Sequence, residues 1–375
     1  MKKKIYYWSP FLSPIATSKA VINSANSIMR YSSKYESSIL NFFGEFDNQK
    51  LVKTKRFNLI NYFNLKFFKY LPSEGFIKSR FSFFFMFIFG FFPLINILKK
   101  NKPDYLIIHL ITSLPLVILI FFNFKTKFIL RISGYPKLHF FRKLLWRIAL
   151  KKIYMITCPT LNTLNYIKQQ NIVKDSKIKL LYDPIINIRE INKKKTEKIE
   201  FSNYFLAVGR LTKQKNFKFL LEAFRDLIKH DNQLKLLIAG EGEEKKELND
   251  FIKRNDLSNN VILLGYIDNI YPYFKNSKGF ILTSLWEDPG FVLIEASYCR
   301  VPILSSNVWP GPVELIKNNF NGLLFDIDDN KDFQKKFGQF KTSKDKNKWI
   351  FNSFVLAKKF TTFNHYRTLD KLLEF

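Results

Sequence analysis

At 375 residues the chain has room for two sizeable cores, taking roughly 150 residues per domain, and its 47% hydrophobic and 25% charged content excludes a disordered polymer. Two cysteines set far apart, Cys158 and Cys299, exclude a disulfide framework or a cysteine zinc site and fit a reducing cytosol. The 61 basic residues against 31 acidic ones give a net charge of +30, which draws polyanions without choosing among nucleic acid, anionic lipid and phosphorylated substrates; the joint abundance of Lys, Asn, Ile and Phe, as in an AT-rich genome, discounts it.

The first residues carry a basic tip, but the apolar run that follows stops at Ser9 and Pro10, short for the core of a signal peptide, so export is not expected. Residues 5–8 read as a short buried strand, the first of a series continued by 105–109, 128–132 and 155–157. Between them, residues 81–98 (FSFFFMFIFGFFPLINIL) approach the ~20 apolar residues of a membrane span. Gly90 and Pro93 interrupt the run, so a buried helix is the first reading, a hairpin or helix dipping into one leaflet the second, and a span the third. Residues 105–122, holding His109, Thr112, Ser113 and Pro115, read as strand, loop and helix. Farther on, Lys143, Arg147 and Lys151 recur every four residues and so share a helix side. With Lys2, Lys3, Lys4, Arg142 and Lys152 they make a basic face suited to an anionic membrane surface or a lipid diphosphate, a solvated helix face being the ordinary alternative. Residues 183–199, with Pro184 and the basic run 193–195, read as an exposed linker.

The C-terminal half alternates strand-length apolar runs with helical periodicity, the pattern of a doubly wound parallel sheet. Strands are expected at 205–208, 234–239, 261–264, 279–282, 302–304 and 323–325. Phe217, Leu220, Leu221, Phe224, Leu227 and Ile228 share one helical face, with Asn216 placed to cap the helix start. The expected division is an N-terminal domain over 1–185, a C-terminal domain over 200–345, and a helical segment over 346–375 able to pack back on the first. Two such α/β domains imply a cleft faced by the carboxyl ends of their strands.

Two constellations carry chemistry. In GRLTKQKN, residues 209–216, Arg210 and Lys215 lie in a loop feeding a helix N-terminus, where free amides and the helix dipole favour an anion such as a diphosphate. The guanidinium fork and the mobile ammonium together can stabilise a departing phosphate, although solvated loop cations are common in so basic a chain. In SLWEDPGFVLIEAS, residues 284–297, Glu287 precedes Glu295 by eight positions. Asp288 as helix cap and Pro289 in the first turn would leave Glu287 just before the helix, with Glu295 leaning back toward it. Glu295 stands in an apolar run, so its carboxylate needs donors such as a ribose diol, or else a structural partner.

The succession GRLTKQK, LLIAGEGEEKKEL, NVILLGY, WEDPGFVLIEA and GPVELIKNNFNGLLF, over about residues 204–325, resembles family 4 of the retaining glycosyltransferases. The resemblance implies the GT-B fold, two facing Rossmann-like domains with an interdomain cleft, and a nucleoside diphosphate sugar as donor. It implies Arg210 and Lys215 at the donor diphosphate, Glu295 at the ribose, and Glu287 at the transferred sugar, so that Glu287, Arg210 and Lys215 are the catalytic candidates. Gly240 and Gly242 would let backbone approach the nucleotide, with Gly290 and Phe291 also on the donor side. Such enzymes generally need no metal and no cofactor. Where the family commonly has Glu-Gly-Phe-Gly this chain has Glu287, Asp288, Pro289 and Gly290; Pro289 removes an amide, so the sugar choice does not carry over. That variant, with Gly311 and Pro312, looks like enzymes of bacterial capsule and lipopolysaccharide assembly. On the acceptor side the candidates are His109, Ser133 and Gly134, with a satisfied core histidine as the alternative for His109. The expected partners are a glycan or lipid-linked acceptor and an anionic membrane, not nucleic acid, at the inner face of the cytoplasmic membrane. A GT-B epimerase or hydrolase and a non-catalytic basic binder are the rival readings; the ordered motifs weigh against the second.

Overall fold

The computed structural model describes residues 2–11, 16–47, 56–63, 78–136 and 138–374. The chain divides into two compact units, Met1–Pro184 with Thr362–Phe375, and Ile185–Thr361.

In unit 1 the elements run β1 (Lys3–Trp8), α1 (Ala16–Tyr31), β2 (Tyr35–Asn41), β3 (Asn58–Asn61), α2 (Lys78–Asn101), β4 (Tyr105–Ile108), α3 (Ser113–Phe121), β5 (Lys127–Arg131), α4 (Phe140–Ala149), β6 (Met155–Cys158), α5 (Leu161–Gln169) and β7 (Ile178–Leu180). The strands form a parallel sheet in the order β3-β2-β1-β4-β5-β6-β7. Both faces are covered, and alternate residues serve opposite cores as strand pleating requires. Tyr6 and Trp8 of β1 join the core under α2, α3 and α4, whereas Ile5 and Tyr7 join the core under α1. The strands expected at 5–8, 105–109, 128–132 and 155–157 are present with shifted ends, whereas β2, β3 and β7 went unread. In β2 the polar Glu36, Ser37 and Ser38 hide the strand; Ser37 is buried because its hydroxyl donates to Ala25 O at 2.9 Å.

The chain returns to unit 1 at its end. The last helix, Thr362–Leu373, packs on α1 and places Leu369 and Leu373 in the core beside it. Polar groups beneath it form a buried chain. His365 Nδ1 lies 2.7 Å from Tyr182 O, which only accepts, so Nδ1 carries the proton and Nε2 accepts from Ser24 Oγ at 2.8 Å. Ser24 Oγ in turn accepts from Tyr7 OH at 2.8 Å. Burial holds the His365 pKa down at about 3, against 6.5 for the free side chain. A folded value below the unfolded one means that the unfolded chain binds the proton first. Unit 1 is therefore expected to lose stability as pH falls from 6.5 toward 3, and the melting temperature to fall more steeply in wild type than in His365→Gln.

Beside this chain, Arg131 donates to Asp183 Oδ1 at 2.6 Å and to Leu181 O at 2.5 Å, with the arginine side chain 2% exposed. Removing one partner of such a pair strands a buried charge. Asp183→Ala is expected to cost unit 1 about 3–5 kcal/mol, read from its urea transition.

Unit 2 runs α6 (Ile188–Lys194), β8 (Phe205–Val208), α7 (Phe217–His230), β9 (Leu236–Ala239), α8 (Lys245–Arg254), β10 (Val261–Gly265), α9 (Tyr271–Asn276), β11 (Gly279–Leu282), α10 (Phe291–Tyr298), β12 (Ile303–Ser306), α11 (Pro312–Leu315), β13 (Leu323–Phe325), α12 (Asn330–Thr342) and α13 (Lys346–Ala357). Its parallel sheet has the order β10-β9-β8-β11-β12-β13, so the winding reverses between β8 and β11. Phe217, Leu220, Leu221 and Phe224 are buried as the periodicity of α7 predicts, and phenylalanines from α7, β13 and α12 pack edge to face, Phe325 and Phe333 at 5.0 Å.

One local expectation fails and another holds only in part. Residues 183–199 are not an exposed linker: Ile185, Ile186 and Ile191 are buried, and α6 packs on α9 with Asn269 donating to Lys194 O at 2.9 Å. The basic run obscured this apolar stripe. The segment 346–375 also divides, since α13 packs on α10 in unit 2 and only residues after Thr361 belong to unit 1.

Candidate active site

The carboxyl ends of β8, β9, β11 and β12 are tied into one loop cluster at the reversal point of unit 2, where open parallel sheets place their ligands. From β8, residues 209–216 lean on the loop after β9: Leu211 N donates to Glu241 O at 2.9 Å and Glu244 N to Leu211 O at 3.0 Å. Toward the other side, Leu285 N donates to Gln214 O at 2.8 Å and Thr283 Oγ1 to Lys215 O at 2.9 Å. The loop after β12 joins through a bridge between Glu287 and Pro310, with Gly311 N donating to Glu287 O at 2.9 Å.

Within this frame Lys215 Nζ is ion-paired with Glu287 Oε1, both side chains nearly buried at 11% and 9% exposure. The same carboxylate oxygen accepts from Ser284 Oγ at 2.7 Å. Arg210 is exposed, and among the described residues no ion pair holds its guanidinium. A fixed cation and an accessible one on the same strand-to-helix loop can accept an incoming phosphate without rebuilding the loop.

Asn216 stands at the N-cap position of α7, as expected, but its side chain does not cap the helix. It adopts a left-handed conformation (φ 53°) and its side chain donates to Asp328 Oδ1 at 2.8 Å. Nor do Asp288 and Pro289 enter the next helix: α10 starts at Phe291, with Gly290 as its first flanking residue at φ 94°. Glu287 and Glu295 are each buried with separate partners. Tyr271 OH donates to Glu295 Oε1 at 3.2 Å, and the buried Cys299 thiol, one turn on, is pushed up to about 12 chiefly by burial with Glu295 adding to it. Sequence reasoning missed Tyr271, which no spacing marks, and Ser284, which its place three residues before Glu287 could have marked.

Gly240 and Gly242 have a nearer reason to be glycine than a ligand. A Cβ on Gly240 would lie 1.8 Å from Gly209 O, and one on Gly242 2.3 Å from Leu211 O. Their bare backbones let the β9 loop press against the loop that carries Arg210 and Lys215.

In unit 1, His109 follows β4 and Ser133 and Gly134 follow β5, and at that sheet's carboxyl edge two of the three meet: Ser133 Oγ lies 3.3 Å from His109 Nδ1. His109 is buried, and burial with the Arg131 guanidinium nearby holds its pKa well below the usual imidazole range, so it stays neutral.

Comparison with known proteins bears on the family and the fold. The family described as "Glycosyl transferases group 1" matches residues 188–353. A Campylobacter jejuni protein named "GalNAc-alpha-(1->4)-GalNAc-alpha-(1->3)-diNAcBac-PP-undecaprenol alpha-1,4-N-acetyl-D-galactosaminyltransferase" is 30% identical over 85% of this chain and 83% of its own. An uncharacterized glycosyltransferase of Methanocaldococcus jannaschii is 29% identical over 61% of this chain, which spans 62% of that relative's length. Among solved structures, Anabaena HepE in complex with UDP superposes with a TM-score of 0.72 at 16% identity, covering all of both chains. That likeness gives the fold, GT-B.

Proposed function

The chain belongs to the glycosyl transferases of group 1, and on that premise we propose that it moves a sugar from a nucleoside diphosphate donor held by unit 2 to a hydroxyl of a lipid-linked glycan, with retention of anomeric configuration. The product belongs to a bacterial cell-surface polysaccharide of the capsule or lipopolysaccharide kind. The observation that carries the reading is the Lys215–Glu287 pair at the sheet reversal, with exposed Arg210 on the same loop as Lys215. Arg210 and Lys215 hold the diphosphate and stabilise charge as it departs, a task that the two cations perform without a metal or other cofactor. Glu287 takes the transferred sugar, and Glu295, steadied by Tyr271, takes the ribose. Gly290 and Phe291 bring the start of α10, with its free amides and positive dipole end, to the same loops.

On the acceptor side we assign Ser133 and Gly134 to the rim that meets the incoming glycan, with the buried His109 behind Ser133. We take the acceptor to be a diphosphate-undecaprenol glycan, the kind named for the Campylobacter relative, and the enzyme to work as a peripheral protein at the inner face of the cytoplasmic membrane, without a nucleic acid partner. Incubation of the full chain with a lipid diphosphate glycan and a panel of labelled nucleotide sugars tests this. Label in the lipid fraction, with an anomeric proton of the donor's configuration, is the expected result. Label released as free or epimerised sugar without any acceptor would overturn it.

A further inference from the structure

We propose that α2, the end of α3, and α4 form one face that lies in the plane of an anionic bilayer and sinks its aromatic side chains into a single leaflet. The proposal deepens the peripheral placement above and rests on it. It decides a question that the 81–98 run leaves open, since the helix there is long and apolar enough to cross a membrane, with a mean hydropathy of 2.2.

Packing excludes the span. Gly90 faces the sheet, where a Cβ would meet Leu114 at 3.0 Å and Trp8 at 3.3 Å, and Met86, Leu94 and Leu98 are buried in the same core. Half a turn away from Gly90 by helical geometry lie Phe81, Phe84, Ile88 and Phe92, all exposed, Phe92 by 77%. One side of α2 therefore belongs to the protein and the other to its surroundings. The row does not stop there. Next to α2 packs α3, whose Phe121 is 73% exposed, and next to α3 packs α4, whose Phe141 is 82% exposed. An apolar face this continuous is unusual on a surface bathed only in water.

Charge selects the occupant. Residues 78–152 hold 14 lysines and arginines and a single acidic residue, Asp104, which accepts from Lys4 N at 2.7 Å. Lysines rim the aromatic face: Lys99 Nζ lies 5.4 Å from the Phe122 ring centroid, and Lys152 Nζ donates to Ile120 O at 2.9 Å. A second copy would bring the same charge against it. Anionic headgroups satisfy the rim while acyl chains cover the phenylalanines, the arrangement of an in-plane amphipathic anchor.

The test is flotation of the full chain with vesicles of phosphatidylcholine, alone or mixed with phosphatidylglycerol, alongside Phe84→Ser/Phe92→Ser and Phe140→Ser/Phe141→Ser. Wild type is expected to float with the anionic vesicles and poorly with the neutral ones, and each double variant to lose about tenfold or more in partitioning. The four replaced side chains are all exposed, and melting temperature checks that the variants fold. Wild type that does not float, or variants that float as well as wild type, would overturn the proposal. So would a dimer in sedimentation that the same variants dissolve. Thermal melting with and without UDP, GDP or ADP on the same samples separates the two readings, since a nucleotide bound by unit 2 raises the melting temperature: lost flotation with that shift intact concerns only this face, and flotation without any shift concerns only the donor site.

Discussion

Lys215→Ala is expected to lower the rate of sugar transfer at saturating donor by about 10²–10³-fold. The ammonium is almost buried, paired with Glu287, and carried by a loop whose carbonyl at Lys215 is fixed by Thr283. Its charge is thus already in place when the diphosphate begins to leave, which is where a preorganised cation lowers the barrier rather than merely the dissociation constant. Arginine is a poor substitute here, because the nearly buried ammonium meets Glu287 as a compact point charge, and a planar guanidinium fork differs from it in shape and in the placing of its donors. Steady-state kinetics on Lys215→Ala, Lys215→Arg and Arg210→Ala check this. Lys215→Ala should lose mainly kcat. Exposed Arg210 should show a larger share of its effect in KM. The double alanine variant should fall short of the product of the single losses, because both cations serve one diphosphate.

Gly240→Ala should cost both fold stability and donor binding. The new methyl would stand 1.8 Å from Gly209 O at a backbone φ of +153°, so backbone has to move, and the backbone in its way leads directly into Arg210. Overpacking of this kind costs about 1–3 kcal/mol or more. Its control lies in the same unit. A Cβ on Gly338, inside α12, meets nothing within 4 Å, so Gly338→Ala should stabilise unit 2 by about 0.5–1 kcal/mol and leave transfer unchanged. Thermal melting with and without UDP on the two variants reads both effects.

Much of unit 2 was legible because its strands are short apolar runs bounded by turns and its helix α7 has a single apolar stripe; all six expected strands form. Arg210, Lys215 and Glu287 were legible as members of ordered motifs, and two of the three meet in one ion pair. Partners supplied by side-chain packing at a distance in sequence were not legible. Tyr271 reaches Glu295 across 24 positions, and Asp183 reaches Arg131 across 52, without any periodicity to announce them. The capping assignments failed for a different reason. Asn216 and Asp288 suit a helix N-cap by residue type, but the loops that carry them are held by neighbouring loops, and that restraint outweighs a local preference of about 1 kcal/mol. Polarity misled at β2, where Ser37 and Ser38 are buried, and at residues 183–199, where a lysine run overlays an apolar stripe.

The most direct test of the donor site is thermal melting of the purified chain against UDP, GDP, ADP and their sugars, since a ligand of the folded state must raise its melting temperature. A shift with one nucleotide class that disappears in Arg210→Ala and Lys215→Ala is the expected result. A folded protein that responds to none of them, or a shift that survives both substitutions, would contradict a diphosphate bound by these residues.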